Sequence, residues 1–375
     1  MPAPMAAPVV PRAERLRHRI ERRLLALWFS ATPSAADRRL AALLAPLSWL
    51  AARIALRRRA TRLQRDPQGR PAVVIVGNLL VGGTGKTPAV AAIARGLADR
   101  GLRVGVLAGG YRARDAGPHR VGPDSDPQQI GDEPVLLARL TGLPVASGRD
   151  RRAALASLNA WHPGLDVVIS DDGLQHFGLP RRLQLAVFDR RGAGNGRMLP
   201  AGPLREPLST AAQLDALLLN GTDHPPVEHP AVFPFRVMPT VLRRIGPDRD
   251  ADCEADYLPL AAFRQRYAGR RIVALAGIAD PARFFGVLDA AGIVFRPVPL
   301  PDHARLDRAW LASMAADGDG TLFVMTDKDA VKLTGLDGLP PCWTLEVAAH
   351  FDRDFFGWLT ARLPAPAARR PLLQD

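Results

Sequence analysis

The chain has 375 residues, 47% of them hydrophobic and 23% charged, a globular composition long enough for two domains with a core in each. Two cysteines, Cys253 and Cys342, are too few for a disulfide framework or a cysteine-rich zinc site, and they fit a reducing compartment. With 50 Lys and Arg against 37 Asp and Glu, the net charge of +13 favours anionic partners without choosing among nucleic acid, an acidic membrane surface and phosphorylated substrates.

The first 65 residues read as a basic, amphipathic N-terminal segment. Arg and His recur from Arg12 to Arg23, ahead of the apolar run Leu24 to Phe29. A second apolar run spans Leu40 to Ala52, carries Trp49 and ends at Arg53 and the cluster Arg57-Arg58-Arg59. Interrupted by Pro46, it is expected to be too short to span a bilayer. An apolar face with Trp and Arg flanks suits a helix lying in the headgroup region of an anionic membrane. The alternative is a helical hairpin packed on its own domain. A cleaved signal peptide is disfavoured, because the apolar run starts late and no small-residue cleavage site follows.

From residue 66 to 224 short β-branched runs alternate with Ala- and Leu-rich stretches. Strands are expected at Ala72–Val76, Arg103–Leu107, Val167–Ser170, Leu183–Phe188 and Ala216–Leu219, with helices at Lys86–Leu97 and Asp132–Leu140. Runs apolar on both faces, alternating with helices, indicate a mostly parallel α/β sheet. Thr222 to Pro230 reads as a linker in which His224 and His229 are expected to be solvent-exposed. Residues 225–375 resume the rhythm as a smaller α/β domain, with strands at Ile272–Ala276, Val294–Val298 and Thr321–Met325 and a last helix that packs back on the first domain. An Ala/Pro/Arg tail follows near 364–371.

Chemistry concentrates in a few segments. Val73-Val74-Ile75-Val76-Gly77-Asn78 precedes Gly82-Gly83-Thr84-Gly85-Lys86-Thr87-Pro88 and an Ala-rich helix. Strand, glycine loop, Lys-Thr and helix are the parts of a phosphate-binding loop: backbone N–H groups turn inward, Lys86 reaches the β/γ oxygens and the Thr87 hydroxyl holds Mg²⁺. The strict pattern has glycine where this chain has Leu80. Lys occurs only at Lys86, Lys328 and Lys332 in an Arg-rich chain, which marks positions that need a compact ammonium. Asp166 to His176 runs four apolar or small residues into Asp171-Asp172, a doubled acid at a strand end that a cation would neutralise. Gly131-Asp132-Glu133-Pro134 opens a helix, and Pro301-Asp302-His303 follows a strand of the second domain; read alone, each is more often structural.

Together these segments resemble one family closely, the tetraacyldisaccharide 4′-kinases of lipid A biosynthesis. The matching pieces run in order from Val76 to Lys332 and include Leu199-Pro200-Ala201-Gly202-Pro203-Leu204-Arg205-Glu206-Pro207, Ala276 to Phe285 and Thr326-Asp327-Lys328-Asp329-Ala330-Val331-Lys332. The family's own loop also lacks the first glycine. The resemblance implies a P-loop-type sheet and transfer of the γ-phosphoryl of Mg·ATP to the 4′-hydroxyl of tetraacyldisaccharide 1-phosphate, giving lipid IVA. It implies ATP contacts from Gly82, Gly83, Thr84, Gly85, Lys86 and Thr87, with Arg205 and Glu206 bordering nucleotide and acceptor. Thr87, Asp171 and Asp172 would serve Mg²⁺; Asp132 would take the hydroxyl proton, with His303 orienting or tuning it. Arg151 or Arg152 is expected to contact phosphate, and Lys328 and Lys332 either face nucleotide or cap a helix.

The expected setting is the cytoplasmic face of the bacterial inner membrane, peripheral or monotopic, with the anionic membrane surface and the lipid as partners. No nucleic acid and no obligate protein partner is expected. The competing class is a phosphate-loop GTPase or an ATP hydrolase or ligase without a lipid acceptor.

Overall fold

The computed structural model describes residues 20, 23–30, 32–66, 68–110, 117–246, 255–301, 304, 306–315 and 320–365. The N-terminal helix α1 (Ala35–Arg62) starts in a capping box, where Ser34 Oγ accepts from Asp37 N at 3.1 Å and Ser34 N donates back to the Asp37 carboxylate at 3.1 Å. It runs unbroken for 28 residues, which corrects the expectation of a run cut short at Pro46. Pro46 removes a single bond to the carbonyl of Ala42, and Ala42 is exposed, so water can take that carbonyl. By length and composition alone, α1 is long and apolar enough to cross a membrane.

The strands follow in chain order as β1 (Ala72–Gly77), β2 (Val104–Gly109), β3 (His119–Val121), β4 (Val145–Gly148), β5 (Val167–Asp171), β6 (Leu183–Asp189), β7 (Ala216–Asn220) and β8 (Val232–Ile245), then β9 (Ile272–Ala276), β10 (Arg296–Pro299), β11 (Leu322–Thr326) and β12 (Cys342–Phe351). They form one sheet in the order β10-β9-β11-β12-β8-β7-β6-β1-β5-β2-β4-β3, with Tyr257–Leu258 pairing on β8. All pairings along it are parallel except β8 with β12 and β4 with β3. The long strand β8 joins the two halves: Val232–Phe235 pairs with β7, and Phe235–Ile245 pairs with β12 through a bulge between Pro239 and Leu242.

Both faces of the central strands are covered, which is why they read as continuous apolar runs. On one face Val74 and Val76 pack with Val90, Ile93 and Leu97 of α2 (Lys86–Ala98) and with Val135 and Leu137 of α3 (Asp132–Thr141). On the other, Val73 and Ile75 pack with Leu155 and Leu158 of α4 (Arg151–Trp161), and with Leu79, Leu174 and Leu204. At roughly 1.5–3 kcal/mol for each fully buried aliphatic side chain, this alternation fixes the register of β1 and hence where the loop after it emerges. The last helix, α5 (Arg353–Thr360), sets Phe355 and Leu359 into the cluster of α2.

Candidate active site

The glycine loop leaves the C-terminal end of β1 and turns into α2. Gly85 is the N-cap of α2 at φ +87°, a left-handed backbone that costs a side-chain-bearing residue about 1–2 kcal/mol. A Cβ there would also lie 2.3 Å from Asn220 Nδ2. With no acid in its first turn, α2 presents unpaired N–H groups and its positive dipole end to the loop, the environment a phosphate needs.

Two asparagines brace this loop. Asn78, fully buried, donates to Gly82 O at 3.1 Å and to Thr84 Oγ1 at 3.3 Å, and accepts from Lys86 Nζ at 3.2 Å. Asn220, at the end of β7, donates to Thr84 O at 3.0 Å. Arg191 Nη2 adds a bond to Gly83 O at 2.7 Å while its guanidinium pairs with Asp189. Thr84 is thus a buried brace, whereas Lys86 and Thr87 stand half-buried at the mouth of the loop.

Strand β5 delivers the acids beside it. Lys86 Nζ lies 2.7 Å from Asp172 Oδ1, and Arg205 Nη1 lies 3.0 Å from Asp172 Oδ2. Asp172 adopts φ +49°, a left-handed backbone uncommon for a residue other than glycine. Burial works against its charge, but Lys86 and Arg205 hold it well below the usual carboxylate range. Asp171 has the opposite fate: burial, reinforced by Glu133 and Asp172, pushes it up to about 7 against the pull of Lys86 and Arg151. Its Oδ1 is buried without a hydrogen-bond partner. Two neighbouring acids are therefore driven apart in proton affinity by their surroundings.

Most expected site residues come together here; the others lie as follows. Arg151 is buried behind the acids, donating to Leu107 O at 3.1 Å and Asp171 O at 2.9 Å, while Arg152 is exposed. Asp132 opens α3, whose next residue, Glu133, acts electrostatically on Asp171. Glu206, expected at the nucleotide's border, is 1% exposed, and its oxygens are engaged by Arg59 of α1 and by Gln175. His303, with Asp302, lies outside the described residues. Lys332 pairs at 2.8 Å with the fully buried Asp329, which also accepts from Gly277 N and Thr326 Oγ1. His229 is half-buried, not solvated as expected, because its ring nitrogens meet Ala231 O and Leu214 O at 2.9 and 3.0 Å. The roles of Asn78, Asn220 and Gln175 were not visible in the motifs, although Asn78 and Gln175 stand inside them.

A mostly parallel α/β sheet with a left-handed glycine turn, a Lys-Thr helix start and an acidic strand end defines a P-loop-type nucleotide-binding protein. The family model for tetraacyldisaccharide-1-P 4′-kinase matches residues 40–364. The chain belongs to that family, which makes it a kinase. Proteins named tetraacyldisaccharide 4′-kinase are similar to it at 42% identity in Dechloromonas aromatica (82% of this chain, 88% of that one), 42% in Pseudomonas paraeruginosa (92% and 98%) and 47% in Alkalilimnicola ehrlichii (74% and 78%). The crystal structure described as the "apo" form of LpxK from Aquifex aeolicus in complex with ATP is similar at 27% identity and a TM-score of 0.67, covering 87% of this chain and 100% of that one. These likenesses do not favour a GTPase, hydrolase or ligase.

Proposed function

We propose that the chain transfers the γ-phosphoryl group of ATP to the 4′-hydroxyl of a tetraacylated glucosamine disaccharide 1-phosphate, giving lipid IVA. The observation that carries the reading is the convergence of Lys86, Asp172, Arg205 and the left-handed loop at the end of β1. In the transfer the hydroxyl oxygen bonds to the γ-phosphorus, the bond from that phosphorus to the β-bridging oxygen breaks, and ADP leaves. Asp132 takes the hydroxyl proton, with His303 orienting it. Lys86 and the first-turn N–H groups of α2 stabilise charge on the phosphoryl oxygens. Gly82, Gly83, Thr84 and Gly85 shape the cradle.

A divalent cation fits the donors present. Asp171 Oδ1 is buried and unpartnered, beside the ionised Asp172. Among the described residues no three His, Cys, Asp or Glu form a complete cage. Thr87, Asp171 and Asp172 would therefore hold Mg²⁺ together with phosphate oxygens and water, as Mg²⁺ sites commonly do. When bound, Mg²⁺ neutralises charge on the β- and γ-oxygens.

Residues 66–224 form the nucleotide-binding domain in this reading, and residues 225–375 the smaller one. Helix α1 presents Leu43 (78% exposed), Leu47, Trp49 (62% exposed) and Leu50 to solvent. It seats the enzyme on the anionic cytoplasmic face of the inner membrane, where the lipid acceptor lies. The test is Asp132→Asn: turnover with lipid acceptor should fall by about 10²–10⁴, the general-base range, while nucleotide affinity holds. Unchanged turnover would remove Asp132 as the base and make Asp171 or Asp172 the next candidate.

A further inference from the structure

Helix α1 is exposed along much of its length, yet its last turn drives one charged residue into the protein. Arg59 is 5% exposed. Its Nη1 donates to Glu206 Oε2 at 3.3 Å and its Nη2 to Gln184 Oε1 at 3.3 Å. The other oxygen of Glu206 accepts from Gln175 Nε2 at 2.8 Å. The same amide nitrogen lies 3.5 Å from Asn78 O. Asn78 in turn carries Gly82, Thr84 and Lys86. The residue before Glu206 is Arg205, whose backbone N–H donates to Leu79 O at 2.7 Å and whose guanidinium holds Asp172.

Anchoring α1 does not require this arrangement. Ser48 Oγ donates to Met198 O at 2.8 Å and accepts from Ala201 N at 3.0 Å, and an apolar cluster of Leu27, Trp28 and Ala41 packs beside it. A buried ion pair is seldom more stabilising than the apolar side chains that would replace it. What the pair does supply is direction: with Nη2 held by Gln184, the planar guanidinium aims Nη1 at one oxygen of the Glu206 carboxylate, whose other oxygen holds Gln175 and whose neighbour is Arg205.

We propose that Arg59 is a positioning residue for the nucleotide site: through Glu206 it sets Gln175 and Asn78 on the phosphate loop, and through the Arg205 segment it sets Asp172. The helix that carries the exposed leucines and Trp49 is thereby wired to Lys86. The inference rests on the loop being the nucleotide site, as proposed above.

The experiment measures affinity for a fluorescent ATP analogue, melting temperature and phosphoryl transfer in Arg59→Met, Arg59→Lys, Glu206→Gln and the Arg59→Met/Glu206→Gln double variant of the full chain in detergent micelles. Arg59→Met should weaken nucleotide affinity about tenfold, the usual consequence of losing a charge-assisted bond. Arg59→Lys should recover much of it. The double variant should be no worse than the weaker single, because both substitutions break one link. Leu311→Ala, a cavity in the far domain, serves as a stability control and should leave affinity within about twofold at a similar loss of melting temperature. Affinity of Arg59→Met within about twofold of the wild type overturns the proposal, as do independent losses that multiply in the double variant or an equal loss in Leu311→Ala. If Arg59→Met does not fold, Glu206→Gln and Arg59→Lys decide it by the same comparison. A wild type that binds the analogue but transfers no phosphoryl group overturns the kinase reading and leaves this affinity test standing.

Discussion

Replacing Gly85 by alanine probes whether the loop's shape, and not only its charge, makes the site. The new Cβ would sit at φ +87°, costing about 1–2 kcal/mol. It would also stand 2.3 Å from Asn220 Nδ2 and 3.3 Å from Asn220 Cγ, too close for either to stay. Asn220 is buried, and its amide holds Thr84 O at 3.0 Å, so displacing it leaves a buried acceptor unmet at a further cost of about 1–3 kcal/mol. The combined cost of about 2–5 kcal/mol appears either as a melting temperature lower by several degrees or, if the loop relaxes, as nucleotide affinity weakened at least about tenfold. Thermal denaturation and titration with a fluorescent ATP analogue together read both outcomes. Gly83→Ala is the internal control for stability, since its Cβ would meet only Ala279 Cβ, at 3.5 Å. If Gly85→Ala matches the wild type in both measurements, or if Gly83→Ala destabilises the free protein as much, the loop geometry does not have the role described.

Asp327 is buried, with one oxygen unpartnered, and burial raises its carboxyl to about 6 although Thr344 donates to it. A carboxyl raised on folding gives stability that is present below its unfolded pKa near 4 and lost as pH rises through 6. Asp327→Asn should therefore raise the melting temperature by an amount that grows between pH 4 and 6 and then levels; a pH-independent difference would contradict the burial argument. Leu43→Glu combined with Leu47→Glu, both on the exposed side of α1, should abolish sedimentation with anionic vesicles while leaving nucleotide affinity unchanged. Retained vesicle binding would place membrane contact elsewhere.

How much was legible in the sequence depended on whether a feature was local. Strands β1, β5, β6, β7 and β9 read as apolar runs because they are buried on both faces, and their observed ends differ from expectation by a residue at most. Strand β8, which begins just after the expected linker, was passed over because Pro234 and Pro239 and a bulge interrupt it, and only its long pairing with β12 makes it a strand. Strands β3, β4 and β12 were passed over, the first two being short and β12 opening beside Pro340-Pro341. Lys86, Thr87, Asp171 and Asp172 were legible because the loop and the strand end carry their own spacing. Arg59 looked like one more flanking arginine; its partner Glu206 is 147 positions away, and only the packing of α1 on the domain joins them. Asn220 closes an apolar strand with a polar side chain, a weak signal that gains meaning only from the neighbouring loop.

The most direct test of the central claim is phosphoryl transfer from γ-labelled ATP with Mg²⁺ to tetraacyldisaccharide 1-phosphate in mixed micelles, for the wild type and Lys86→Ala. Labelled lipid formed by the wild type and lost in Lys86→Ala is the expected result, since in the proposed reading Lys86, held at the mouth of the loop by Asp172 and Asn78, stabilises charge on the transferred group. Phosphate release without labelled lipid, or near-normal transfer by Lys86→Ala, would contradict it.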